Sequence, residues 1–375
     1  MNILVLNYEY PPLGGGGAPK GMHISGELAK KHFVYFLTTG WDKFGVSEEN
    51  GYTINRLKTS RKYKHVCTNR EMLSFLWHAW RALPPILQEH KFDVAHIYFA
   101  VPTGILAFHP KLRKIPFILS VGGSDVPWHN PTRFRILYAF FTPIIKAVWS
   151  RARRVVCNSS DLKKEVLSFS PQLNISVIQN GTKTDVFHPA DKRADGGPFV
   201  ILYAGRLIPL KRIHLVIQAL PEIIRGSGRQ VLFRVVGEGS SRAGLETLAQ
   251  RSGVKGSVEF IGRREYGEMP EIYRGADLYV QLSEIEGMSN TILEAMSSGL
   301  PVITTRVGGA GDIVSDNGAV VDNVSTKVVA DLITGYVNDH QLAARQGKRS
   351  REIAESMSWS KVSLQYEKEL LNASL

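Results

Sequence analysis

Short β-rich runs separated by helical patterns recur twice along the 375 residues, and this alternation limits the fold more than any other feature. In the first half the runs are NILVLNY, FVYFLTT, YTINRLK, FDVAHIYF, FILSVGG, RRVVCNSS and ISVIQNG, with helical patterns such as GMHISGELAKKH and REMLSFLWHAWRALPPILQEH among them. After VFHPADKRADGGP, a polar stretch with Gly and Pro that reads as a linker, the rhythm restarts with FVILYAGR, VLFRVVG, VEFIG, LYVQLS, PVITTRV and GAVVDN. Strands alternating with helices predict parallel sheets, and their repetition predicts an α/β chain of two doubly wound domains. We place the domains at 1–190, joined by a C-terminal helix over 360–375, and at 191–359. Ligands of such sheets bind at the carboxyl ends of the strands, so a facing pair predicts an interdomain cleft for two substrates.

Charge divides the halves. Up to residue 190 there are 24 Lys and Arg against 12 Asp and Glu, and 22 against 22 thereafter, so the first half holds the whole net charge of +12. A basic half implies an acidic partner: a phosphorylated substrate, an anionic membrane or a nucleic acid. No nucleic-acid reader motif accompanies it, so nucleic acid is set aside. Cys67 and Cys157 are too few for a disulfide framework and read as unpaired structural thiols. The N-terminal MNILVLNYEYPP lacks a basic region ahead of a long apolar stretch and reads as a first strand, which predicts a cytoplasmic protein.

Glycine-rich segments follow strands in both halves. YPPLGGGGAPKG leads from a strand into a helix, where backbone NH groups near Gly16 and Gly17 can approach an anion. It is no dinucleotide fingerprint, because no GxGxxG threads through it and no acidic residue closes the second strand. VVGEGSSRAGLE repeats the pattern weakly around Gly237. In LYAGRLIPLKRIHLVIQA, Arg206 and Lys211 flank a helix start, where two cations can converge on a diphosphate. With no DxD pair and no His/Cys cluster, a metal is not expected.

SEIEGMSNTILEAMSSGLPV then places Glu286 and Glu294 with seven residues between them, across a turn that opens a helix. The order of all these pieces, with SVGGSDVP, ARRVVCNSSDLKKEV, VIQNGTKTDVFHP and the final MSWSKVSLQYEKELL, resembles the retaining GT-B glycosyltransferases of family 4 over nearly the whole chain. The resemblance implies two Rossmann-like domains, acceptor first and donor second. It also implies that Glu294 receives the ribose hydroxyls of a nucleotide sugar, that Glu286 contacts the donated sugar, and that Arg206 and Lys211 hold the diphosphate. Asp125 joins Arg206, Lys211 and Glu286 as a catalytic candidate. Gly16, Gly17, Gly237, Arg263, Met288, Ser289, Asn290, Thr291 and Glu294 are donor-side candidates, and His96 and Lys20 acceptor-side ones.

One departure is Gly122, which stands where the family often has histidine and leaves Ser124 and Asp125 as the polar residues there. The expected reaction is metal-independent, cofactor-free transfer with retention, from a UDP-hexose or UDP-N-acetylhexosamine to a glycan or lipid-linked anionic acceptor. The alternative is a non-transferring relative, either a sugar-nucleotide epimerase or a binding module. RFRILYAFFTPIIKAVWSRARR is too short and too interrupted to span a bilayer, and with RKYKHVCTNREMLSFLWHAWRALPPIL it predicts reversible attachment to the inner face of the cytoplasmic membrane.

Overall fold

A computed structural model describes residues 1–15, 17–64, 67–127, 131–190 and 196–375, without the side chains of Ser124 and 131–140. The chain divides into two compact units, Met1–Asn180 with Trp359–Leu375, and Gly181–Ser358. The first sheet contains β1 (Asn2–Leu6), β2 (Phe33–Thr39), β3 (Gly45–Glu49), β4 (Tyr52–Leu57), β5 (Val94–Tyr98), β6 (Phe117–Val121), β7 (Arg154–Cys157) and β8 (Ile175–Val177). Its order is β3-β4-β2-β1-β5-β6-β7-β8. All neighbours are parallel except β3, which pairs antiparallel with β4 through a turn at Asn50 and Gly51. This edge strand was not among the sequence runs, because GVSEE is polar and mostly exposed.

The second sheet holds β9 (Phe199–Ala204), β10 (Val231–Val236), β11 (Val258–Gly262), β12 (Leu278–Gln281), β13 (Val302–Thr305) and β14 (Gly318–Val321). Every pair is parallel, in the order β11-β10-β9-β12-β13-β14. That is the 3-2-1-4-5-6 order of a Rossmann sheet, with its switch point between β9 and β12.

Both sheets are covered on two faces. Along β1, Leu4 and Leu6 enter one core with Phe75, Leu83 and Trp149, while Ile3 and Val5 enter another with Ile24, Phe36, Trp359 and Tyr366. Along β9, Phe199 and Ile201 face one core and Val200 and Leu202 the other. Alternation and burial on both sides explain why these strands read as near-continuous apolar runs.

The junction differs from the sequence expectation of residue 190. Phe187 is fully buried in the second unit, and Thr182 bridges to Ser358, so 181–190 belong there. The segment from Arg133 also corrects an expectation in its described part. Helix Pro131–Arg151 buries Ile145, Val148 and Trp149 in the first core, so these side chains are unavailable to a membrane.

Helix Trp359–Ser374 returns to the first unit, where Tyr366 is fully buried and stacks on His96 at 5.1 Å. Tyr366→Ala should destabilise the first unit by about 3–5 kcal/mol, as for other buried aromatic truncations. Urea unfolding measures this, and a loss below about 1 kcal/mol would show that the helix docks without that ring.

Candidate donor site

The loops after β9 and β12 flank the switch point of the second sheet and are stitched together. The amide of Glu284 donates to Leu210 O at 2.8 Å, and Arg212 Nε donates to Glu284 Oε1 at 2.8 Å. Arg212 takes a left-handed conformation (φ 51°), which turns the chain from the Pro209–Lys211 helical turn into helix Ile213–Gly226. Lys211 is thereby aimed at Glu286 and forms an ion pair with its Oε1. Gln281 Nε2 donates to the same oxygen at 3.0 Å, and Ser283 Oγ donates to it at 3.3 Å. Three donors therefore hold one oxygen, and Oε2 of Glu286 has no hydrogen-bond partner among the described residues. Arg206 is exposed and its guanidinium has no ion pair among the described residues, so its charge is available to a ligand.

Glu294 sits in helix Asn290–Ser297, where Tyr273 OH donates to its Oε2 at 2.9 Å. The residue keeps some exposed surface, but the carboxyl lies beside Tyr266, Tyr273 and Tyr279, and its desolvation pushes the pKa up to about 7. The side chain of Ser289, at the N-cap, makes no capping hydrogen bond to this helix. Ser289 Oγ instead donates to Gln281 Oε1 at 2.9 Å, and Thr291 Oγ1 donates to that atom at 3.1 Å. Met288 is buried in the core, and Asn290 opens the helix. Arg263 is exposed, just after β11.

Gly237 packs two loops together. Its amide donates to Gly262 O at 2.8 Å, and a β-carbon there would lie 1.9 Å from Gly205 O. The glycine permits two loops to touch, and at φ +133° it is also a conformation that side chains avoid. Sequence reasoning missed Gly308, where a β-carbon would meet Glu286 O and Gly287 O at 2.4 Å. It also missed Gln281, whose signal was a polar residue in the otherwise apolar run LYVQL.

The remaining candidates lie in the first unit. Asp125 is buried, its Oδ1 accepting from the amide of Ala100 and its Oδ2 from that of Gly122, each at 2.9 Å. Desolvation pushes it up to about 7, and its geometry is that of a clamp on two loops, which adds nothing to the catalytic role expected of it. His96 is fully buried in β5 with Nε2 against Ser120 Oγ at 2.8 Å, and burial lowers its pKa well below the ordinary range. Lys20 is buried with its ammonium 5.3 Å from the Tyr366 ring centroid. Gly16 lies outside the described residues. A β-carbon on Gly17 would stand 2.6 Å from the Phe99 ring, and one on Gly122 would stand 3.1 Å from it. The ring thus occupies the space beside Gly122, and Phe99 itself has φ 67°.

Two Rossmann-like units, with cations and carboxylates at the switch point of the second, define a GT-B glycosyltransferase. The model for Glycosyltransferase Family 4 matches residues 15–186, and that for Glycosyl transferases group 1 matches 186–353. The chain belongs to this glycosyltransferase family and is a transferase of glycosyl groups. It is similar to an uncharacterized glycosyltransferase of Methanocaldococcus jannaschii, 23% identical over 96% of this chain and 95% of that one. N-acetyl-alpha-D-glucosaminyl L-malate synthase of Bacillus anthracis is 24% identical over 96% and 94%. In fold it resembles HepE of Anabaena in complex with UDP, with a TM-score of 0.76, 18% identity and coverage of 99% and 100%.

Burial of Glu294 carries a consequence for stability. Its pKa rises from 4.5 in the unfolded chain to about 7, so between those values the native state holds a proton that the unfolded state has released. Stability of the second unit therefore falls as pH rises through that window. Glu294→Gln, whose amide oxygen still accepts from Tyr273, should lose less stability than wild type in urea unfolding between about pH 5 and pH 8. An equal loss in both would mean that Glu294 ionises normally.

Proposed function

We propose that the chain transfers a hexose or N-acetylhexosamine, with retention, from a UDP-sugar to an anionic acceptor. The carrying observation is Glu286, fixed through one oxygen with the other unpartnered among the described residues, beside Lys211 and near the start of helix Asn290–Ser297. A carboxylate oxygen accepts from sugar hydroxyls, while Glu294 accepts from the ribose diol. The acceptor hydroxyl attacks the anomeric carbon from the face that the diphosphate leaves. The new C–O bond forms as the old one breaks, and the acceptor's proton passes to the leaving phosphate oxygen. Arg206 and Lys211 offset the charge that gathers on the diphosphate, a task otherwise given to a metal ion.

Support for the uridine nucleotide comes from HepE, whose structures hold UDP and UDP-glucose. The malate synthase, by its name, joins an N-acetylglucosaminyl group to a dicarboxylate, which suits an anionic acceptor. In a donor screen read by nucleotide release, a UDP-sugar should give turnover that EDTA leaves nearly unchanged. The Arg206→Ala/Lys211→Ala double variant should lose about 100-fold or more in kcat. Wild-type turnover in that variant would remove both residues from the mechanism.

The acceptor side of this reading is a reversible attachment to anionic lipid. No helix among the described residues is long and apolar enough to cross a membrane. Helix Asn69–Glu89 instead leaves Leu73 and Trp77 exposed at 64% and 60%, with Arg81 over the Trp77 ring at 5.6 Å. Lys62, Lys64 and Arg70 lie just before or within its start. An aromatic edge bordered by cations suits a lipid interface, and each cation there contributes about 1 kcal/mol of attraction. Flotation should recover the protein with anionic vesicles at low salt and release it at high salt, and Trp77→Ala should weaken recovery. Failure to float with either anionic or neutral vesicles at low salt would favour a soluble acceptor.

A further inference from the structure

We propose that Gln281 is the positioning residue for Glu286, an inference that rests on the donor-site reading above. Gln281 is the last residue of β12 and is 3% exposed, in a strand whose other members are core side chains. A buried amide at such a place costs stability unless both its ends are satisfied. Here both are. The carbonyl oxygen is surrounded by the hydroxyls of Ser289 at 2.9 Å, Tyr279 at 3.0 Å and Thr291 at 3.1 Å. The amide nitrogen donates to Glu286 Oε1 at 3.0 Å. A carboxylate only accepts hydrogen bonds, so the amide must turn its NH2 towards Glu286, and the hydroxyls lock it in that sense.

The consequence appears when a diphosphate arrives. In the structure Glu286 Oε1 is held by Lys211, Gln281 and Ser283. A diphosphate draws on the Lys211 ammonium as its counter-charge, which loosens the first of these contacts. Ser283 is at 3.3 Å, so the neutral Gln281 amide becomes the stronger remaining restraint on the carboxylate. It carries no charge that the phosphates can take. Gln281 therefore keeps Glu286 Oε2 aimed at the sugar while Lys211 serves the leaving group.

Gln281→Leu fills the strand position without an amide. It should bind UDP within about twofold of wild type, but lose about 10-fold in affinity for the UDP-sugar that wild type uses, with UDP-glucose and UDP-N-acetylglucosamine as probes, and about 10–100-fold in kcat. In a Glu286→Gln background the same substitution should cost less than about twofold, because the residue acts through Glu286. Equal losses in both backgrounds, or a parallel fall in UDP affinity, would overturn the inference. Crystal structures of wild type and Gln281→Leu provide a readout that does not need turnover, with Gln281→Met in reserve if the leucine variant does not fold. With UDP soaked into both crystals, so that Lys211 is drawn to the diphosphate, Glu286 Oε1 should leave its place beside Ser283 in the variant alone, and a carboxylate that stays put there would overturn the inference. A wild type that binds and turns over no UDP-sugar would instead refute the donor-site reading, and the crystallographic comparison would still decide the role of Gln281.

Discussion

Both sheets are buried on two faces, and that single constraint orders the rest of the molecule. Inside such a sheet a charged side chain has no water and few partners, so chemistry is confined to the carboxyl ends of the strands. In the second unit β9 and β12 part company there, and Arg206, Lys211 and Glu286 follow directly from those two strands. The loops reach one another only because glycines remove β-carbons. Gly237 lets Gly205 O approach, and Gly308 lets the backbone of Glu286 and Gly287 approach. Close packing of bare backbone makes the loops rigid, and rigid loops hold a carboxylate still.

Polar residues elsewhere show what the same constraint demands when no ligand is involved. Asp125 spends both oxygens on backbone amides. Glu286 differs because three donors crowd onto one oxygen and leave the other unpartnered among the described residues. A carboxylate with both oxygens satisfied by backbone is part of the scaffold, while Glu286 keeps one oxygen able to accept a further hydrogen bond.

The charge division fits the two units. The excess of cations lies in the sequence that builds the first unit, and the half that holds the donor candidates is neutral. Lys211 is thus a local cation with a local partner, set in a unit without a general positive field.

The sequence by itself determined the two sheets, because period-two burial and strand–helix alternation are local properties of the chain. It also singled out Arg206, Lys211, Glu286 and Glu294 as donor-site candidates, since their order and spacing resemble a family pattern. It did not reveal β3, whose polar GVSEE becomes a strand only by pairing with β4. It placed the junction at 190, where the burial of Phe187 puts residues 181–190 in the second unit. Nor could it say why Gly237 is glycine, why Asp125 is acidic, or what Gln281 does inside an apolar strand. Those answers depend on which atoms lie opposite one another across loops far apart in sequence. Local pattern fixes which face is buried, and only the packed structure decides which partner each buried polar atom finds.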